Sequence, residues 1–437
     1  MLPPIDIDSM DLKQYMLDKK AYLRLILPDV KPRSIRIAPS KSIITSIIGP
    51  RRAGKTYLFY SFIKENALND DEYLLVNFED AEIGALGSEE ILKSVLYHEE
   101  LYGVQPKYIF FDEVQSFNDW EKIVYTLYER KLYAIVLTGS SSKLLSKEIA
   151  TQLRGRSLPV LVLPLSFAEF LRAKGIEYGR NVDSMTASRI KNALSEYLAK
   201  GGFPDIALQN AEETKFFKEY VDVLLFKDVV ERGRIRNINV AKFMINAIAA
   251  SYAKGFSLNK NYLMLKSSGI NVSKKTLYSY FLYFEDAFFS FAVQKFDFSI
   301  KKSYLASKKV YLNDTGLAHY FATQSKELGK LAENAVFLQL ARQKEHADKM
   351  EIGYWKDAYG GEVDFVIKND SKVAELIQVT SVSDPKEIKE REVSGLAKAQ
   401  ERLKCSKLTI ITWDYEGEID ARGTTAKCVP LWRWLLQ

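Results

Sequence analysis

The chain has 437 residues, 47% of them hydrophobic and 27% charged, with a formal net charge of +6. That length implies roughly two to four globular domains, and the mild basic excess permits a nucleic-acid partner without requiring one. Two cysteines, Cys405 and Cys428, exclude a disulfide framework and fit a reduced, cytoplasmic setting, and the scattered His98, His319 and His346 do not compose a zinc site.

The N-terminal MLPPIDIDSMDLKQY is acidic and Pro-containing, so it is not expected to act as a signal peptide. No stretch approaches ~18 uninterrupted apolar residues, and no membrane partner is expected. Residues 1–40 are read as a segment packing on the domain that follows. The run Ser42–Ile48 is a buried strand, and Gly49-Pro50-Arg51-Arg52-Ala53-Gly54-Lys55-Thr56 then gives the G-x-x-x-x-G-K-[ST] phosphate loop, with a helix after it. The glycines let successive N–H groups turn toward a β-phosphate. Lys55 would reach the β/γ oxygens, Thr56 would ligate Mg²⁺, and the helix adds its positive end. ATP with Mg²⁺ is therefore the expected ligand.

Tyr73–Phe78 reads as a second strand and Tyr108–Phe111 as a third, ending in Asp112-Glu113. An apolar strand that delivers two carboxylates at its tip is the Walker B pattern. Asp112 would hold Mg²⁺, and Glu113 would orient the attacking water. Tyr133–Leu137 ends in Thr138-Gly139-Ser140, whose hydroxyls are candidates to bond water or the γ-phosphate. Arg154 and Arg156 precede the strand Val160–Leu163 and are candidates to neutralise charge on the γ-phosphoryl group, from the same subunit or a neighbour. Apolar strands alternating with helices over 41–175 predict a parallel sheet covered on both faces.

GPRRAGKT, FFDEVQ, LTGSSSKLLSKEIATQLRGRSLPV and LPLSFAEFL, in that order, resemble a large prokaryotic family of AAA+-like ATPases with a C-terminal domain of unknown function. The resemblance implies a catalytic-glutamate ATPase core with Asp112 on Mg²⁺ and Glu113 on water, and points to Arg156 ahead of Arg154. It extends to Tyr197-Leu198-Ala199-Lys200-Gly201-Gly202-Phe203-Pro204, where the physical reading is a helix stop with a left-handed glycine. It implies no defined biological role.

Residues 176–325 read as a helical lid followed by a winged helix: three helical runs, then strands at Phe291–Phe298 and Lys309–Leu312. Ser273 is placed to cap the third helix, whose opening carries Lys274, Lys275 and Tyr278, the candidate nucleic-acid contacts. Lys295, Lys301, Lys302, Lys308 and Lys309 lie on or near the wing, where they could meet phosphates. Double-stranded DNA is one reading of the partner, and a protein bound by a lid is the other. From about Gly329 the order helix, three strands, helix, strand resembles the restriction-endonuclease-like fold. Glu333 and Asp364 fill two places of its metal site, but Gln378 and Thr380 stand where a carboxylate and a lysine belong. Glu375, nearby on the same strand, could stand in for the missing acid. A neutral amide is a poor ligand for a hard cation, so nuclease activity is not expected. The predicted whole is an α/β multidomain chain: parallel-sheet P-loop ATPase core, helical and winged-helix middle, and nuclease-like domain over 326–437. Hydrolysis driving attached modules is the first functional reading, a nucleotide-gated regulatory switch the second, and an ATP-dependent nuclease the third. The adenine contacts are expected within Tyr22–Pro39.

Overall fold

Five apolar segments of the first part of the chain form one parallel sheet: β1 (Ile44–Ile48), β2 (Tyr73–Asn77), β3 (Tyr108–Asp112), β4 (Ala134–Gly139) and β5 (Ser157–Leu161), in the order β2-β3-β4-β1-β5. The computed structural model describes residues 12–140, 155–179, 181–322, 328–347 and 349–437. Every residue of β1 and β4 is buried, because parallel strands are covered by helices on both faces. Ile47, Phe59, Ile63, Tyr73, Phe110 and Val136 pack into one cluster on that sheet. The helices are α1 (Leu12–Ile26), α2 (Lys55–Glu65), α3 (Ser88–Tyr102) and α4 (Trp120–Glu129).

The N-terminal helix α1 buries Leu12, Tyr15, Met16 and Leu23. Its Lys20 is also buried. The ammonium lies 4.7 Å from the Tyr73 ring centre and 4.1 Å from that of Tyr102, and donates to the Asp70 carbonyl. Burial pulls the Lys20 pKa down to about 8.

The chain divides into two units, Met1–Val162 and Leu163–Gln437. The second begins with α5 (Phe167–Ala173), α6 (Ser184–Lys200) and α7 (Glu213–Val223), which continues as a π-helical stretch over Leu224–Glu231. Next come α8 (Ile238–Ala250), β6 (Lys254–Phe256), α9 (Leu258–Ser267), α10 (Lys274–Asp286), β7 (Ser290–Lys295) and β8 (Lys308–Leu312). The order is helix, strand, helix, helix and a pair of strands, with β8 paired antiparallel to both β6 and β7. Ser273 caps α10 as expected, accepting from the Thr276 N–H at 3.0 Å.

After α11 (Thr315–Phe321) and α12 (Leu328–Lys344) follow β9 (Met350–Lys356), β10 (Glu362–Asn369), β11 (Lys372–Val379), α13 (Glu390–Leu403), β12 (Leu408–Thr412), β13 (Gly417–Asp420) and β14 (Thr425–Pro430). Strands β9, β10 and β11 form an antiparallel meander, and α13 crosses over to place β12 parallel to β11. Cys405 and Cys428 are free and buried in the core beneath α13. The β7–β8 pair does not stand apart from this sheet. Strand β7 pairs parallel with β9 at Gln294↔Gly353 and Lys295↔Tyr354, so nine strands run in the order β13-β14-β12-β11-β10-β9-β7-β8-β6.

The Gly201-Gly202 block has a steric reason beyond stopping a helix. Gly201 caps α6 at φ 83°, and a Cβ there would sit 1.9 Å from Asp314 Oδ1. Asp314 is buried and accepts from the N–H groups of Gly202 (2.7 Å), Gly316 (2.8 Å) and Leu317 (3.1 Å). It thus ties the α6 terminus to the start of α11. Burial pushes its pKa up to about 6, although these three donors oppose the rise. A folded-state pKa above the unfolded value near 3.8 means the folded chain holds the proton longer. Stability from this group is therefore greatest below pH ~4 and declines as pH rises toward ~6. Urea midpoints of wild type and Asp314→Asn, compared at intervals across that window, should differ in slope, with the flatter profile in the variant.

Candidate nucleotide site and a second buried charge cluster

Strands β1, β3 and β4 are parallel and in register, with Ile48 opposite Gly139 and Phe111 opposite Leu137. The loops after all three therefore emerge along one edge, where open α/β sheets bind ligands. The phosphate loop leaves β1 at Gly49, whose φ is 147°; a Cβ there would lie 2.0 Å from the Val162 carbonyl oxygen. Pro50, Arg51, Arg52 and Ala53 form the turn, with Arg52 at φ 60°, and Gly54 at φ 88° opens α2. Among the described residues no side chain caps that helix, an arrangement suited to an anion at its first N–H groups.

Lys55 is buried and donates to the Pro50 carbonyl at 3.0 Å, with Glu113 Oε1 at 3.4 Å. The Thr56 hydroxyl donates to Asp112 Oδ2 at 2.8 Å. Thr138 donates to Asp112 Oδ1 and accepts from the Glu113 N–H at 2.8 Å. Glu113 sits at φ 48°, a strained backbone for a non-glycine residue, which aims its carboxylate back at the loop. Burial and the charge of Glu113 push the Asp112 pKa up to about 6. Burial alone would raise Glu113 too, but the Lys55 charge and the Gln115 hydrogen bond outweigh it and hold Glu113 below its usual range. The Thr56 hydroxyl and the Asp112 carboxylate offer oxygen donors, the kind a hard cation such as Mg²⁺ takes.

Two residues of this site were given no role of their own by the sequence. The Gln115 amide donates to Glu113 Oε2 at 2.5 Å and to Ser140 Oγ at 3.3 Å, bridging the Walker B tip to the β4 tip. Arg33 donates to the Ala53 carbonyl at 2.8 Å, bracing the phosphate loop from the segment after α1. Only DEVQ, as a block, drew attention to Gln115, and nothing local pairs Arg33 with a loop twenty positions on.

Arg156 lies elsewhere. Its carbonyl accepts from the Ile44 N–H at 2.8 Å, at the end of the sheet where β1 and β5 begin. Five residues of strand, roughly 16 Å, separate that end from the phosphate loop. Its guanidinium pairs with Glu129 and lies over the Tyr125 and Tyr128 rings at 5.8 and 5.4 Å. The same-subunit role for Arg156 is corrected on this geometry. Arg154 lies outside the described residues.

In the second unit, Glu333 from α12 and Asp364 from β10 do converge, beside a strand irregularity at Val363/Val366. The third partner is Lys309 of β8. Its ammonium lies 2.9 Å from Glu333 Oε1, 2.9 Å from Asp364 Oδ1 and 2.8 Å from Glu362 Oε1. The Tyr311 hydroxyl donates to Glu333 Oε1 at 2.7 Å. Gln378 joins as a donor, its amide nitrogen 2.7 Å from Asp364 Oδ2, and the Val379 N–H meets the same oxygen at 3.0 Å. Two sequence expectations are corrected here. Lys309 is 3% exposed and cannot reach a phosphate from the wing. Glu375 is held by Thr409 at 2.6 Å and Lys407 at 2.8 Å instead of joining Asp364. Lys274, Lys275 and Tyr278 are exposed along the first turns of α10.

A parallel sheet of this strand order, with a phosphate loop after β1 and paired acids after β3, defines a P-loop nucleotide-binding protein of the AAA type. An AAA domain model matches residues 41–171, and two domains of unknown function, DUF8612 and DUF4143, match 191–328 and 328–434. An uncharacterized protein of Methanocaldococcus jannaschii is 35% identical over 438 residues, 96% of each chain. The chain belongs to its family, P-loop ATPases that carry a C-terminal DUF4143 domain. An uncharacterized protein of Haemophilus influenzae is 27% identical over 337 residues, 76% of this chain and 80% of that one. Among solved structures, the Aeropyrum pernix ORC1 protein in complex with DNA overlaps 77% of this chain and 97% of its own at 14% identity and TM-score 0.28. Caenorhabditis elegans PCH-2 overlaps 51% and 62% at 16% identity and TM-score 0.23. These overlaps are low, and the fold assignment rests on strand order and loop geometry. Among the described residues, no helix is long and apolar enough to cross a membrane.

Proposed function

We propose that the chain is a cytoplasmic Mg²⁺-dependent ATPase whose turnover switches attached modules that engage DNA or a protein partner. The observation that carries the reading is the meeting of Lys55, Thr56, Asp112 and Glu113 at one sheet edge, with Thr56 and Asp112 at 2.8 Å. Lys55 and the N–H groups opening α2 would bind the phosphates. Thr56 and Asp112 would hold Mg²⁺, which when bound neutralises charge on the β- and γ-oxygens. Glu113 would orient the attacking water, with Thr138 and Ser140 holding the strand tips around it. Arg156 would serve a neighbouring subunit's site. The adenine is assigned to the Tyr22–Pro39 segment, in keeping with Arg33 on the loop.

DNA is supported by Lys274, Lys275 and Tyr278, exposed on one helix opening, with Lys301 and Lys302 exposed between the wing strands. Side chains of this kind contact phosphates and do not by themselves read bases, so the expected binding is salt-sensitive and weakly sequence-specific. A steady-state ATPase assay with and without duplex DNA tests it. Stimulation that is lost in Lys274→Glu/Lys275→Glu is the expected result. A second reading, a slow nucleotide-gated switch acting through protein contacts, is favoured by one observation: Glu113 is engaged by both Gln115 and Lys55. A rate indifferent to DNA, with no binding at moderate salt, selects that reading.

A further inference from the structure

The C-terminal sheet has the layout of a metal-dependent nuclease, yet the residues present do not fit a metal. Asp364 spends both oxygens on protein donors: Lys309 on Oδ1, and Gln378 and the Val379 N–H on Oδ2. Gln378 must turn its nitrogen toward Asp364, because an ionised carboxylate only accepts, so its oxygen does not face that carboxylate as a co-ligand would. Glu333 Oε1 is shared by Lys309 and Tyr311. Among the described residues, no group of three or more His, Cys, Asp or Glu is set to hold a metal ion.

We infer that Lys309 is a built-in cation: its ammonium occupies the seat of a divalent ion among Glu333, Glu362 and Asp364, and turns a catalytic layout into a fixed joint between β8 of the winged-helix region and the nuclease-like domain. Three carboxylate oxygens from α12 and β10 lie 2.8–2.9 Å from one nitrogen. That separation is a hydrogen-bond length for N⁺–H···O⁻, and a few tenths of an ångström beyond the 2.3–2.6 Å of Ca²⁺–oxygen bonds. The acids are thus held apart by the ammonium's size. The stem of Lys309 enters from β8, whose neighbours β6 and β7 complete the wing, so the ion cluster and the β7–β9 pairing clasp the two regions at two points. Tyr354 of β9 adds its ring 5.9 Å from the ammonium. A lysine in this position also blocks the place where a metal-activated water would form. This accounts for the missing carboxylate and lysine at Gln378 and Thr380 without a surviving cleavage activity.

Calorimetric titration of the nucleotide-free full chain with Ca²⁺ tests the assignment. Lys309→Gln should gain one Ca²⁺ equivalent that wild type lacks, and Lys309→Gln/Asp364→Asn should lose it again. A Lys309→Gln protein that gains none overturns the seat. Wild type and Asp364→Asn provide the measurement if Lys309→Gln does not fold. Identical titrations support the inference, and a Ca²⁺ equivalent present in wild type but absent from Asp364→Asn overturns it. Wild type should also leave supercoiled plasmid intact with Mg²⁺ or Mn²⁺. Cleavage that disappears in Asp364→Ala would show a working metal site and sink the idea.

Discussion

Lys309→Met is expected to destabilise the second unit by about 3–5 kcal/mol at neutral pH, the usual cost of removing one partner from a buried ion cluster. The ammonium answers Glu333 and Asp364, both under 10% exposed, and Glu362 at their edge. Burial alone would lower the Lys309 pKa, but the charges of Asp364, Glu333 and Glu362 hold it well above the usual lysine value. Burial and the Asp364 charge already push Glu333 up to about 7. Without Lys309 the carboxylates are relieved only by taking up protons, so the folded variant binds more protons than its unfolded chain. Its deficit should therefore shrink as pH falls from 7 toward 5. Urea unfolding of both proteins at the two pH values reads this directly. A variant as stable as wild type at pH 7 would mean the cluster is not a joint.

Lys55→Met is expected to weaken ATP binding by roughly 10- to 150-fold, since a hydrogen bond to a charged group contributes about 1.5–3 kcal/mol. Lys55 is the one cation in the loop whose side chain is enclosed, 3% exposed against 18% for Arg51. Its ammonium neighbours Glu113 at 3.4 Å. Fluorescent-nucleotide titration measures the loss, and an unchanged affinity would place the phosphates elsewhere.

The candidate nucleotide site was largely legible in the sequence because its chemistry is local. Gly49 to Thr56 is one contiguous turn, and Asp112-Glu113 ends one apolar strand. The parallel order follows from strands apolar on both faces. What escaped was long-range. Arg33 and Gln115 act through partners that no spacing rule connects. Arg156 looked catalytic from its neighbours in sequence, yet β5 runs parallel to β1, which places the residue before β5 at the far end of the sheet. Lys309 was misread for the same reason. In a strand such as β8, alternate residues face opposite ways, and the β7–β9 pairing that makes one face of β8 interior is not visible from local pattern. The Gly201-Gly202 stop was legible as a stop, but its close approach to Asp314 was not.

Glu113→Gln tests the central claim most directly, because it keeps the shape of the side chain and removes only its charge. ATP binding and Mg²⁺-dependent phosphate release should be measured side by side on wild type and variant. The predicted result is nucleotide affinity within a few-fold of wild type and a turnover lower by roughly 10²- to 10⁴-fold, the range of a lost general base. Turnover retained in Glu113→Gln would contradict the account.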